Sequence, residues 1–457
     1  MNFRILFLLL LASISSQAQN AFIRGNVSLL PGREVRLLSI SDPISKTENT
    51  LDIDTLNTEG DFELQAELDK YKSLIIAINR YKAPIYIGPA DSLGLQFSSE
   101  QKYKLADSWL KGSFDYVFTQ TDAHGVNKEI SRFDGAYYFF FIQNARFIGT
   151  SELKNKISDF EKEFAVPDTA HPFLRVYTKY SIAEMKLSNG FNKKKVFEEY
   201  LAEDSLHVFN PAWFSFFENF YADYFSAYDN RFGGVALYNQ LNTGISLDSL
   251  NTLLDEDEYL KRRDIRQLVI LNSIAEAYSA KKYKKQPLEE ILKAIMKSPD
   301  SELISNIANN LNAKWRKLND KIKLEYLKNE YAQGLKINKN SLPTLLITSL
   351  SGGPQLYKEI AVIEDLQKRY PGIFNVIELH LGVNVSSRSR TWPMVMLDKN
   401  YEFLSDFQIY SIPHFMWFDS SNRLELNPVT KPSEGLEEIL YKLKSEKERE
   451  NKIRIGK

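Results

Sequence analysis

Chemistry needs side chains that can hold, give or share protons or electrons, and this chain of 457 residues supplies them unevenly. It has no cysteine. A thiolate nucleophile, a disulfide and a thiolate metal site are therefore all excluded. Its five histidines are His124, His171, His207, His380 and His414. None stands three or four residues from another, the spacing from which local metal pairs are built. Ser349-Leu350-Ser351-Gly352 offers a serine hydroxyl, with no base or orienting acid beside it in sequence. Glu378-x-His380 puts two polar side chains on one face of a strand and reads as a surface pair. His414 reads as a half-exposed strand histidine, able to titrate near neutral pH or to hydrogen-bond a peptide. Asp52, Asp54, Asn57, Asp61 and Glu63 imitate a calcium loop. An EF-hand needs an oxygen ligand at its fifth position and glycine at its sixth, where Leu56 and Asn57 stand, so these read as exposed acids of a strand–turn–strand. Metalloprotease, serine-hydrolase, phosphate-loop and dinucleotide signatures are missing. No catalytic residue, metal ligand or cofactor is assigned.

The elements that would position Ser349, Glu378, His380 and His414 lie in residues 342–445. An apolar run, Leu345-Leu346-Ile347, leads into the turn Ser351-Gly352-Gly353-Pro354-Gln355. Leu356, Ile360, Ile363 and Leu366 follow at helical spacing. Tyr370-Pro371-Gly372 stops that helix, residues 376–381 form a strand, and 383–391 is a serine-rich loop. The stretch from Trp392 to Leu397 is ambiguous between strand and short helix. Tyr410-Ser411-Ile412-Pro413-His414-Phe415 enters another strand, which turns at Asp419-Ser420-Ser421-Asn422 into a hairpin. Leu436, Ile439, Leu440 and Leu443 give a closing helix, with Ser433 as its expected cap.

This order of elements, with its two short motifs, resembles the thioredoxin-like domain of bacterial envelope thiol–disulfide oxidoreductases of the TlpA-like kind. In that family the first turn carries Trp-Cys-Gly-Pro-Cys and the second a cis-proline facing it. Here the Gly353-Pro354 centre is kept, and the cysteine places fall on Gly352 and Gln355. The resemblance implies a vestigial redox turn at Gly352, Gly353, Pro354 and Gln355. It also implies a cis-proline peptide-binding groove at Ile412, Pro413 and His414, where the open backbone of Ile412 can pair with an extended peptide. That mode of binding needs no sulfur.

Ahead of this domain, residues 19–99 read as short strands separated by turns at Pro31-Gly32, Asp42-Pro43, Gly60-Asp61 and Gly88-Pro89, the pattern of a small β-sandwich. Asp54-Thr55-Leu56 with Gly60-Asp61-Phe62 resembles the β-rich domain that precedes thioredoxin modules in envelope proteins. Residues 100–335 turn to helical periodicity. The strongest segment runs over 210–228: Asn210 as N-cap, Pro211 in the first turn, then a stripe of Trp213, Phe217, Phe220, Tyr224 and Tyr228, read as a core helix. At the start, Arg4, the apolar stretch 5–12 and Ser16-x-Ala18 read as a signal peptide cut after Ala18. The apolar stretch is too short to span a bilayer. A net charge of −1 gives no electrostatic case for nucleic acid or for an acidic membrane surface.

The expected architecture is a multidomain α+β chain: signal peptide 1–18, β-sandwich 19–99, helical domain 100–335, thioredoxin-like α/β domain 336–445 lacking its cysteines, and charged tail 446–457. The expected role is a redox-inactive, exported, periplasmic module for binding, scaffolding or assembly. Its partner would be another envelope protein or peptide, with peripheral association with an outer-membrane complex, and without nucleic acid or a transmembrane segment. The rival readings are an enzyme with non-thiol chemistry in the middle domain and a purely structural component.

Overall fold

The computed structural model describes residues 18–27, 32–78, 81–97, 112–113, 116–232, 234–279, 283–317, 322–337, 340–350, 354–381, 391–397, 399–407, 409 and 411–455. The expected signal peptide up to residue 17, Gly352 and Gly353 of the turn, and most of the 383–391 loop lie outside them. The protein is a mixed α+β chain with several sheets and many helices. It divides into two compact units, Met1–Asn312 and Ala313–Lys457.

Among the described residues the first unit opens with the strands β1 (Gln19–Asn26), β2 (Glu34–Ile40), β3 (Glu48–Thr55), β4 (Asp61–Leu68), β5 (Lys72–Ile78), β6 (Tyr81–Ile87), β7 (Ser92–Phe97), β8 (Gly112–Ser113) and β9 (Tyr116–Gln120). They form two sheets, ordered β4-β1-β7-β9 and β3-β2-β5-β6-β8. Alternation places their apolar sides together. In β4, Phe62, Leu64, Ala66 and Leu68 point inward while the residues between them are exposed. They share one core with Ile23, Val35, Leu37, Leu74, Ile76 and Ile85. The acids that imitate a calcium loop serve the edges of these sheets. β3 and β4 are edge strands of different sheets. Asp54 Oδ2 accepts the Glu63 amide at 2.7 Å, and Asp52 Oδ2 accepts the Gln65 amide at 2.8 Å. Asn57 Oδ1 takes the amides of Glu59 and Asp61 at 2.9 Å each, closing the turn. Side-chain oxygens thus occupy edge amides that would otherwise template another strand.

Helices follow: α1 (Val126–Asn144), α2 (Ser151–Glu163), α3 (Pro172–Ser188), α4 (Lys193–Tyr200), α5 (Pro211–Phe220), α6 (Tyr224–Arg231), α7 (Ala236–Thr243), α8 (Leu247–Leu254), α9 (Arg263–Ser279), α10 (Lys285–Lys297) and α11 (Glu302–Lys317). Asn210 caps α5 through Oδ1, which accepts the amides of Ala212 and Trp213. The aromatic stripe expected on one helix over 210–228 is divided between α5 and α6. The chain turns at Asp223, whose φ of 48° is incompatible with helix continuation. The stripe is nevertheless core: Trp213, Phe217, Phe220, Tyr224 and Tyr228 are all buried. Trp213 stacks on Phe217 with centroids 5.3 Å apart.

One buried cation ties α2, α3 and α4 together. Lys186 Nζ donates to Glu161 Oε1 (2.8 Å), Glu199 Oε1 (3.0 Å) and Tyr200 Oη (2.8 Å). Its side chain is 8% exposed, whereas the two carboxylates reach solvent.

The second unit carries α12 (Leu324–Glu330), β10 (Thr344–Leu350), α13 (Pro354–Arg369), β11 (Asn375–Leu381), β12 (Met394–Met396), α14 (Asn400–Asp406), β13 (His414–Phe418), β14 (Leu424–Leu426) and α15 (Leu436–Ile455). Its sheet is ordered β12-β11-β10-β13-β14. β10, β11 and β12 are parallel, and β13 runs antiparallel to β10 and β14. β10 is buried on both faces, which is why Leu345, Leu346 and Ile347 follow one another without a polar residue between them. Leu345, Ile347, Val376, Phe415 and Trp417 pack beneath α13 and α15 against Leu356, Ile360, Ile363, Leu436 and Leu440. The ambiguous stretch after Trp392 resolves as strand β12. Ser433 does not cap the closing helix. It lies in a 3-10 turn, and its amide and hydroxyl donate to Glu359 at 2.9 and 2.6 Å, tying that turn to α13.

Lys186→Met keeps the volume and removes the charge, leaving Tyr200 and two carboxylates without their common donor. The expected cost is about 2 kcal/mol of unfolding free energy. A urea titration followed by tryptophan fluorescence measures it, and an unchanged midpoint would show that the knot contributes nothing.

Candidate functional site at the end of the second sheet

The parallel register of β10 and β11 sets Ser349 opposite His380 and Ile347 opposite Glu378. Ser349, Glu378 and His380 therefore share the face that α13 and α15 cover, and all three are buried, at 0%, 0% and 2% exposure. The surface pair expected from Glu378-x-His380 is instead the middle of a buried network. The serine that had no base or acid beside it in sequence receives both across the sheet. Ser349 Oγ donates to Glu378 Oε1 at 2.6 Å and lies 3.0 Å from His380 Nδ1. Trp392 Nε1 donates to the other oxygen, Glu378 Oε2, at 3.1 Å.

This combination of residue types suggests nucleophilic catalysis, but the order is wrong for it. Activation of a serine needs the base between serine and acid. Here the serine stands between them. With its single proton given to the carboxylate, Ser349 accepts from His380 Nδ1, which is then a donor and no base for that hydroxyl. Full burial of Oγ also keeps a substrate away. The arrangement satisfies a buried carboxyl and pins β10, β11 and the segment entering β12 to one another.

The opposite face of the same sheet end holds the expected groove residues. His414 pairs with Thr348 across β10 and β13. It is buried, at 7% exposure, where a half-exposed histidine was expected. The cause is its position at the start of a strand buried over its whole length. Asn427 Nδ2 donates to the Phe407 carbonyl at 3.2 Å, which turns Asn427 Oδ1 toward His414 Nε2, 2.7 Å away. Burial lowers the His414 pKa below its ordinary 6.5, and the Asn427 contact opposes that shift. Pro413 is buried, Ile412 half-buried and Ser411 exposed. The Ile412–Pro413 peptide bond is cis. Among the described residues no backbone hydrogen bond takes up the Ile412 amide or carbonyl. Of the turn, Pro354 begins α13 and Gln355 is exposed, whereas Gly352 and Gly353 are not among the described residues.

Elsewhere, polar groups are consumed by structure. His171 Nδ1 accepts the Phe173 amide at the start of α3. An open cleft of about 380 Å³ in the first unit is lined by Leu206, Arg263, Asp264, Asp300, Ser301, Leu303 and Ile304. Arg263 grips Asp300 through two nitrogens, at 2.8 and 2.5 Å. Burial pushes the Asp264 carboxyl up, but hydrogen bonds from Arg262 and the Ile265 amide outweigh it and hold the pKa below the usual range. Carboxylates so paired are not poised to move protons. Glu276 on α9 differs. Desolvation, then the charge of Asp223, pushes it up to about 7, with Asn272 donating at 3.0 Å. No histidine is among the groups acting on it. Among the described residues no group of three or more histidine, aspartate or glutamate side chains is placed to hold a metal ion.

No family model matches this chain, and no curated protein is similar to it. Among solved structures it is similar to a thioredoxin-like protein from Bacteroides caccae, with 14% identity over 61% of this chain and 96% of that one, at a TM-score of 0.31. It is also similar to a protein assigned as a thiol–disulfide oxidoreductase from Bacteroides vulgatus, with 15% identity over 23% of this chain and 78% of that one, at 0.21. A third, assigned as the thiol:disulfide interchange protein DsbE from Chlorobium tepidum, has 17% identity over 23% and 82%, at 0.21. The structural neighbours are thiol–disulfide oxidoreductase and thioredoxin-like proteins. This chain lacks the cysteines of such a site altogether. Among the described residues no helix is long and apolar enough to cross a membrane.

Because the folded state lowers the His414 pKa, the unfolded chain takes up a proton first as pH falls. The contribution of this group is present above its unfolded value and is lost as pH falls through the lowered folded one. His414→Gln keeps a donor for Asn427 and cannot titrate. Unfolding free energy measured from pH 7.5 to 5 should fall less steeply for the variant than for the parent; equal slopes would show that His414 does not titrate on unfolding.

Proposed function

We propose that this protein is an exported, periplasmic binding module that uses an emptied redox frame to hold a partner rather than to exchange disulfides. In this reading a β-sandwich and a helical domain precede the thioredoxin-like module expected over 336–445. That module takes up an extended segment of another envelope protein along Ile412, Pro413 and His414, beside Gly352, Gly353, Pro354 and Gln355. The observation that carries the reading is the backbone of Ile412. It stands at the entrance of a buried strand, next to a buried cis-proline, with its own amide and carbonyl unpaired among the described residues. An incoming strand can satisfy both groups.

The polar residues around it support binding over catalysis. There is no thiol to attack or leave. Ser349 is sealed into its network with Glu378 and His380. His414 is held by Asn427, so it shapes the strand entrance rather than standing free as a base.

Site-specific photocrosslinking in the native cell tests this. A probe replacing exposed Gln355 should capture one protein that a probe at exposed Lys399 does not. Adding Ile412→Asp to the first strain should abolish that product at unchanged protein level. Identical captures from both positions, or a product indifferent to Ile412→Asp, would contradict the reading.

A further inference from the structure

α1 is apolar on more sides than the fold covers. Its run Ala136-Tyr137-Tyr138-Phe139-Phe140-Phe141-Ile142 goes almost twice round the helix. One side is used: Phe133 is buried, and Tyr137, Phe140 and Phe141 pack against the cluster of Leu153, Ile157, Phe160 and Met185. The other side is bare. Tyr138, Phe139 and Ile142 are 64%, 59% and 54% exposed, and Ile148, just beyond the helix, is 62% exposed. A contiguous exposed apolar patch on a helix is a candidate contact surface.

Charge points to what it would contact. Lys128, Gly135, Phe139, Ile142 and Arg146 succeed one another at intervals of seven, four, three and four residues, which keeps them on one line of the helix surface and its 3-10 continuation. Both ends of the line are exposed cations. The acids of α1 lie off it: Glu129 accepts from Arg132, and Asp134 accepts from Tyr177 at 3.0 Å on the packed side. At the C-terminal end, Arg146 and Lys156 both sit over the Phe147 ring, 4.6 and 4.9 Å from its centroid, next to Ile148. Lys156 is shared with Glu152 at 3.8 Å; Arg146 has no acid on its line. Pairing with a second copy is opposed by this pattern. Antiparallel helices would set Lys128 against Arg146, and parallel ones would set each cation against itself. A convex stripe of three or four apolar side chains between cations instead matches an anionic lipid surface. There aromatic and aliphatic side chains enter the headgroup boundary, and lysine and arginine meet the phosphates.

We propose that the outward side of α1, carrying Tyr138, Phe139 and Ile142 between Lys128 and Arg146, docks the protein onto the surface of an anionic lipid bilayer. The contact is peripheral and reversible, as befits one short stripe. It is independent of the peptide-binding reading of the second unit.

Co-sedimentation of the full chain with vesicles tests it, using phosphatidylglycerol mixed with phosphatidylcholine, and phosphatidylcholine alone. The parent should partition onto the anionic vesicles only. Phe139→Ser/Ile142→Ser and Lys128→Glu/Arg146→Glu should each lower that partitioning by about tenfold or more, while Lys128→Arg/Arg146→Lys retains it. Circular dichroism melts of each variant confirm folding. No partitioning by the parent, or variants that melt normally and partition as the parent does, would overturn the proposal. So would a dimer, seen by light scattering, that Phe139→Ser/Ile142→Ser dissociates, or retention on immobilised polyglutamate without vesicle binding.

Discussion

A carboxyl group with no exposure has to have its oxygens hydrogen-bonded, or its burial costs more than a domain can carry. Glu378 is that group here, and its two oxygens reach in different directions, to the Ser349 hydroxyl and the Trp392 indole. Those partners belong to β10 and to the segment entering β12, so satisfying one side chain aligns three parallel strands. His380, two residues on and on the same face, completes the serine's coordination. The apolar layer under α13 and α15 sets the thickness of the unit; this polar layer sets the register at the end where the cis-proline lies.

The other face of the same end is secured separately, by His414, Asn427 and the Phe407 carbonyl. Pinned on both faces, the sheet can present the Ile412 backbone in one place without any sulfur chemistry behind it. This sheet end holds its shape without a thiol. The frame rests on strand register and buried hydrogen bonds, none of which involves a thiol. In the binding reading proposed above, it is this end of the sheet, before β13, that would take up an extended segment.

How much of this was legible in the sequence depended on range. Local signals read well: the Asn210 cap, the apolar run of a doubly buried strand in β10, the alternation of β4, and the proline entering β13. Readings failed where a tertiary neighbour decided the outcome. Glu378-x-His380 looked like a surface pair because nothing in sequence tells that β11 lies beside β10, with Ser349 opposite His380. Ser433 looked like a helix cap until Glu359, on another element, claimed its amide and hydroxyl. The helix expected over 210–228 broke at Asp223, where periodicity carries on and only the backbone angle reveals the turn. The exposed side of α1 was hidden in the opposite way. Its apolar run carries no sign in sequence of which side faces the core, and only the packed structure separates the covered side from the bare one.

The central claim is that Ser349 and Glu378 act as one unit in holding this sheet end, and a double-mutant cycle tests it most directly. Unfolding free energies would be measured for Ser349→Ala, Glu378→Gln and the double variant. The account predicts that each single change costs about 1–3 kcal/mol, and that the double variant costs less than their sum by about 1 kcal/mol or more, because the second change removes a group already orphaned by the first. Additive costs, or single variants as stable as the parent, would contradict it.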